Sequence, residues 1–158
     1  MFRVVFIFLL LVIPTFSQTI HFSEEKYYDA LEKRFNKEGK IIFDNGKIQI
    51  VYDDSTTVTY TGDFLYTQKD GKMKKLDLSK KPAVKMFFLL FEAIYFNKRE
   101  VLNSYFTSQK LKDIMILTPK ENISRYINIV QYQKIKNRLN FLEIKLTNKD
   151  WVRIEELD

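Results

Sequence analysis

The chain contains no cysteine, one histidine, one tryptophan, four glycines and three prolines in 158 residues. Each scarcity removes a class of function. Without cysteine there is no disulfide, no thiolate nucleophile and no Cys-ligated metal. His21 is the single candidate base for a Ser-His-Asp arrangement, and it lies in a polar β-type stretch where it reads as a strand histidine. The carboxylates form no ligand-spaced cluster, so no metal site is expected; the adjacent pair Asp53-Asp54 sits in turn chemistry and its side chains should point apart. Four glycines in turns or at strand starts leave no Gly-rich phosphate cradle for a nucleotide. No period-length repeat and no low-complexity linker is present. Charge of one sign is also lacking in bulk: 26 Lys and Arg against 20 Asp and Glu give a formal +6, interspersed. That balance argues against an obligate nucleic-acid binder and fits attraction to anionic surfaces. A basic, aromatic surface of Tyr60, Tyr66, Lys74 and Lys75 for single-stranded nucleic acid is an alternative that the export signal below speaks against.

What is present begins with an apolar run. Arg3 precedes Val4 to Ile13, Pro14 breaks the run, and Thr15-Phe16-Ser17 places small residues at the −3 and −1 positions of a cleavage site. The pattern predicts a signal peptide over 1–17, cleavage after Ser17, and a single exported domain over 18–158. No cysteine follows the run, so the chain is not itself a lipoprotein.

From Gln18 to Leu78 the signal is β. Phe22 to Tyr28 reads either as a strand or as the start of a short helix reaching Phe35. Ile41-Ile42-Phe43, the hairpin signal Asn45-Gly46, and the alternating Ile48, Ile50 and Tyr52 follow. Val58 and Tyr60, then Phe64 and Tyr66, then Leu76 and Leu78 continue a meander broken at Gly62-Asp63 and Asp70-Gly71. Such short strands separated by tight turns should be antiparallel neighbours.

The stretch Pro82 to Tyr95 is apolar nearly all round, with Ser79 as a candidate cap and Pro82 in the first turn. About fourteen residues span roughly 21 Å, too short for a bilayer core. Two readings stand: a helix packed in the core, or a lid over an apolar cavity with Phe87, Leu90, Phe91 and Ile94 facing it. A second short helix over Glu100 to Phe106 and strands at Ile114–Leu117, Tyr126–Tyr132, Leu139–Leu146 and Trp151–Ile154 complete the chain.

The order of these pieces resembles a family. Phe22-x-Glu24-x-Lys26-Tyr27 with Leu31, Gly39-x-Ile41-x-Phe43, Gly62-x-Phe64-Leu65, Leu78-x-x-x-Pro82, Ala93-Ile94, Val101-Leu102 with Phe106, and Leu117-Thr118-Pro119-Lys120 are similar to the periplasmic outer-membrane lipoprotein carriers, the LolA-like proteins, in their short divergent branch. Where better-studied carriers have an Arg-Pro pair, this chain reads Asp44-Asn45-Gly46-Lys47. The resemblance implies an α+β fold: an incomplete antiparallel β-barrel, a strongly curved sheet, with helices covering its open concave side. It implies a monomeric, non-enzymatic chaperone in the periplasm that needs no cofactor and no ATP and moves lipoprotein acyl chains or another lipid toward the outer membrane. An inner-membrane donor complex and an outer-membrane acceptor are implied as partners. The residues expected to line the sheet side of the cavity are Ile41, Phe43, Ile48, Ile50, Tyr52, Val58, Tyr60, Phe64 and Tyr66. The alternative is an exported scaffold or partner protein of the same fold whose core is filled by its own side chains.

Overall fold

The computed structural model describes residues 17–158. The expected leader up to Phe16 lies outside them. Six strands come first: β1 (Gln18–Tyr28), β2 (Lys33–Asp44), β3 (Lys47–Tyr52), β4 (Thr57–Tyr60), β5 (Phe64–Lys69) and β6 (Lys72–Asp77). Two helices follow, α1 (Pro82–Tyr95) and α2 (Arg99–Tyr105), and then β7 (Phe106–Leu111), β8 (Ile114–Pro119), the single turn α3 (Glu121–Ser124), β9 (Ile127–Ile135), β10 (Arg138–Leu146) and β11 (Trp151–Glu156).

All eleven strands form one sheet in the order β6-β5-β4-β3-β2-β1-β11-β10-β9-β8-β7. Every pairing is antiparallel. Chain order explains this layout. Six strands meander outward from β1, the helices carry the chain across, and five strands meander back until β11 lies beside β1, Glu24 opposite Ile154. The sheet does not close: β6 and β7 remain its edges, and α1 and α2 connect them. The fold is thus α+β, an unclosed antiparallel sheet with helices over one face.

Turn chemistry sets the hairpins. Asn45 (φ 43°) and Gly46 (φ 79°) join β2 to β3, and Asp70 (φ 50°) and Gly71 (φ 72°) join β5 to β6, both in the left-handed conformation that two-residue hairpins require. Gly39 serves close approach rather than a turn. It lies between Phe22 and Tyr52 in register, and a Cβ there would sit 2.3 Å from the Val51 carbonyl oxygen. The rings of Phe22 and Tyr52 instead meet edge-to-face at 5.8 Å across the bare backbone.

Strand alternation sorts the residues into an inner and an outer face. On the inner face Ile20, Phe22, Ile41, Phe43, Ile48, Ile50, Leu117, Val130, Leu142, Ile144 and Ile154 are buried, together with Phe88, Leu90, Phe91, Ala93 and Ile94 of α1. In β10 a register irregularity between Leu139 and Phe141 accounts for the imperfect alternation of that segment.

Several expectations change. Of the two readings left open for Phe22 to Tyr28 the strand is the one found, and β2 begins well before the apolar Ile41, at Lys33. Ser79 does not cap α1. It lies in a 3-10 turn (Leu78–Lys80) where its N–H donates to Asp77 Oδ1 at 2.9 Å, and Lys81 precedes the helix without a side-chain cap. Phe106 opens strand β7, which the polar Thr107-Ser108-Gln109 had concealed; this edge strand is exposed apart from Phe106.

Candidate functional site

The inner face and α1 do not meet uniformly. At the carboxyl end of the helix the contact is dense. Phe43 stacks on Phe91 at 5.7 Å and on Tyr95 at 4.8 Å, and meets Phe96 at 4.9 Å. Gln18 Nε2 donates to the Tyr95 hydroxyl at 2.9 Å. Lys134 Nζ donates to the carbonyl of Tyr95 at 2.8 Å, placing a cation where the last carbonyls of a helix point. Burial pushes the Lys134 ammonium below its ordinary pKa.

The amino end is held differently. Its uncapped first turn is tied by an exposed ion pair, Lys85 Nζ to Asp63 Oδ1 at 3.0 Å. Beneath it lies a cavity of about 350 Å³. Ala83, Val84, Phe87 and Phe88 roof it; Tyr52, Val58 and Leu65 form one wall, and Ile127, Ile144, Leu146 and Val152 the other. Strands from both arms of the sheet therefore face one cavity, which requires the sheet to curl around the helix. The volume lies in the range of small-molecule sites.

Polar groups lie along β1 and beside its end. Glu24, Lys26 and Asp150 line the cavity. The Glu24 side chain is 3% exposed and is paired to Lys26 Nζ at 3.0 Å, while Lys26 itself is 37% exposed. The Tyr52 hydroxyl donates to both Glu24 oxygens, at 3.2 and 3.3 Å. Burial, and then the charge and hydrogen bond of Glu24, push the Tyr52 phenol far above its usual range. A buried carboxylate so supplied with donors is tolerated where an isolated one is not.

The expected lining residues fall into three groups. Tyr52, Val58 and Phe87 line the cavity. Ile41, Phe43, Ile48, Ile50, Leu90, Phe91 and Ile94 are buried in the packed core beyond it, and Tyr60 stacks on Phe88 at 4.7 Å. Phe64 and Tyr66 lie on the outer face. Tyr60 pairs with Leu65 and Val58 with Thr67, so alternation turns Phe64 and Tyr66 outward, where Lys75 Nζ sits 3.8 Å over the Phe64 ring. The expectation failed because the loop at 61–63 shifts the parity between β4 and β5. Leu65, Val84, Phe88, Glu24, Lys26 and the whole second wall were not anticipated. The buried polar residue within the apolar-flanked β1 was a usable signal; the second wall depends on the β1–β11 pairing, which no local pattern announces.

No family model matches the chain, and no curated protein matches it. Among solved structures it is similar in fold to a LolA superfamily protein from Nitrosomonas europaea, with a TM-score of 0.43 and 8% identity over 92% of this chain and 86% of that one. It is likewise similar to the lipoprotein LppX from Mycobacterium tuberculosis, with a TM-score of 0.40 and 10% identity over 88% of this chain and 84% of that one. The likeness is one of shape alone.

Proposed function

We propose that the protein binds an acyl chain of a lipid or lipoprotein in this cavity and carries it, shielded from water, across the periplasm toward the outer membrane. The observation that carries the reading is the apolar cavity beneath the loosely held end of α1. Each methylene moved from water into such a site contributes about 0.8 kcal/mol without any directional bond, so eight of them supply about 6 kcal/mol. The lining suits an acyl chain, with aliphatic and aromatic side chains on the walls and roof and polar groups along β1. The signal-like segment ending at Ser17 supports export, and the partly exposed Lys26 and Asp150 suit a headgroup or peptide amide. Passage along such a route needs a donor at the inner membrane and an acceptor at the outer one.

The test is direct. Lipid should copurify and be identified by mass spectrometry after extraction, and a fluorescent acyl probe should bind the stripped protein. Val84→Trp, which projects an indole into the cavity, should abolish probe binding while leaving the fold. Absence of both lipid and probe binding would overturn the reading and favour the scaffold alternative, which draws its support from the self-filled Phe43, Phe91 and Tyr95 cluster.

A further inference from the structure

The chain's positive charge is concentrated in one place. Between Lys69 and Lys85 there are seven lysines and two aspartates, a formal +5 out of +6 for the whole chain. Lys69 is paired with Asp54 and Lys85 with Asp63. Lys72, Lys74, Lys75, Lys80 and Lys81 are exposed, and among the described residues none of these five has a carboxylate within 4.0 Å. They occupy the edge strand β6, the 3-10 turn after it and the residue before α1. Apolar side chains stand among them: Met73 is 66% exposed and Leu76 is 37% exposed.

Lysines on an edge strand protect it from pairing with other chains. That explanation covers β6, but not Lys80 and Lys81, which lie off the sheet, nor an exposed methionine among the strand's lysines. The position of the patch is informative as well. Leu76 is the register partner of Leu65, a cavity wall residue, and Lys81 is two residues from Ala83 in the cavity roof. The basic surface therefore borders the amino end of α1, the weakly held side of the cavity.

We propose that β6, the following turn and the start of α1 form a docking surface for an anionic lipid bilayer. Lys72, Lys74, Lys80 and Lys81 lie against the headgroups and Leu76, which shares the Lys72 and Lys74 face of β6, enters the interface, which brings the cavity's rim to the membrane. The partner follows from charge complementarity with interspersed apolar residues, the pattern of interfacial binding. The proposal does not depend on what the cavity holds.

The test is flotation of the full chain with vesicles of neutral phosphatidylcholine, or with about 30% phosphatidylglycerol added as the anionic lipid. Binding should require the anionic lipid and be lost between about 0.05 M and about 0.5 M salt, as screening shortens the reach of the charges. Replacing Lys72, Lys74, Lys80 and Lys81 by Gln should weaken partitioning about fivefold per lysine, on the order of several hundredfold together. Replacing Lys33, Lys40, Lys47 and Lys110 by Gln, exposed lysines elsewhere, changes the net charge equally and should leave most of the binding. If the fourfold β6 variant fails to fold, Lys80→Gln with Lys81→Gln, outside the sheet, carries the same comparison. Equal binding to neutral vesicles, as the N-terminal apolar run alone would give, would overturn the proposal. So would no binding to anionic vesicles, or an equal loss in both fourfold variants.

Discussion

Truncating two phenylalanines one helical turn apart on α1 should give opposite results. Phe91 is 1% exposed and its ring meets Phe43 at 5.7 Å, Tyr95 at 6.3 Å and Phe87 at 6.4 Å. Phe91→Ala removes a fully buried ring from a packed cluster, which costs about 3–5 kcal/mol. With a urea m-value of about 2 kcal/mol/M, the unfolding midpoint should fall by about 1.5–2.5 M. Phe87 is half-buried and lines the cavity, so part of its surface already faces space rather than neighbours. Phe87→Ala should cost about 1–2 kcal/mol, a midpoint shift of about 0.5–1 M. Acyl-probe affinity should move the other way. Phe87→Ala should weaken it about tenfold, which corresponds to about 1.4 kcal/mol of lost contact, while the folded fraction of Phe91→Ala should bind normally. Equilibrium urea unfolding by circular dichroism and probe titration, run on both variants, supply the four values. Equal destabilisation by the two substitutions with unchanged probe binding would refute the division of α1 into an anchored half and a roofing half. So would a well-tolerated Phe91→Ala that abolishes binding.

Three further outcomes are expected. Gly39→Ala should destabilise by about 1–3 kcal/mol, because its Cβ meets backbone of Val51 and Tyr52 rather than a yielding side chain, and denaturant unfolding checks it. Burial raises the phenol pKa of Tyr52, Tyr60, Tyr95 and Tyr132, so the folded form holds protons that the unfolded form releases near pH 10. That contribution to stability is complete below pH 10 and lost above it, and ultraviolet titration should show these phenols ionising at higher pH in the folded than in the unfolded protein. Glu24→Gln should cost about 1–3 kcal/mol, since the partly exposed Lys26 loses its charged partner. It should also ease Tyr52 ionisation without restoring it to the ordinary range, because burial is the larger cause; a return to pH 10 would refute that ordering.

The residues differ in how much of this they disclose. Asn45-Gly46 and Asp70-Gly71 announce their hairpins because the left-handed backbone they adopt is costly for most other residues. Ile48, Ile50 and Tyr52 disclose an inner face because period-2 alternation against water leaves little choice. Phe64-Leu65-Tyr66 discloses nothing of the kind: all three are apolar or aromatic, and the parity is set by the length of the preceding loop and by pairing with β4. Strand β7 is hidden for a related reason, since a solvated edge needs no apolar residues beyond Phe106. The second cavity wall is hidden most deeply. Ile127, Ile144, Leu146 and Val152 read as ordinary core positions, and they face Val58 and Leu65 only because β11 returns to β1 and the sheet curls.

The same topology bears on how an acyl chain would enter and leave. Because the sheet is not closed by hydrogen bonds between β6 and β7, its two arms are linked across the opening by α1 and α2. Opening there breaks side-chain contacts and no ladder of backbone bonds. Within α1 the contacts are graded: stacked rings and the Lys134 hydrogen bonds at the carboxyl end, the Tyr60–Phe88 stack at the middle, and one exposed ion pair at the first turn. An exposed pair contributes about 0–1 kcal/mol, whereas each aromatic contact adds about 0.5–1.5 kcal/mol beyond its buried area. Motion of the roof is therefore easiest in the first turn, ahead of the Tyr60–Phe88 stack, which lifts Ala83 and Val84 away from Leu65 and Val58. Removing the tie with Lys85→Ala should leave the urea midpoint within about 0.5 M, because surface substitutions rarely cost more than about 0.5 kcal/mol, yet speed both uptake and release of an acyl probe. Stopped-flow fluorescence measures the two rates. Unchanged rates would show that the ion pair does not limit access and that entry lies elsewhere along the helix.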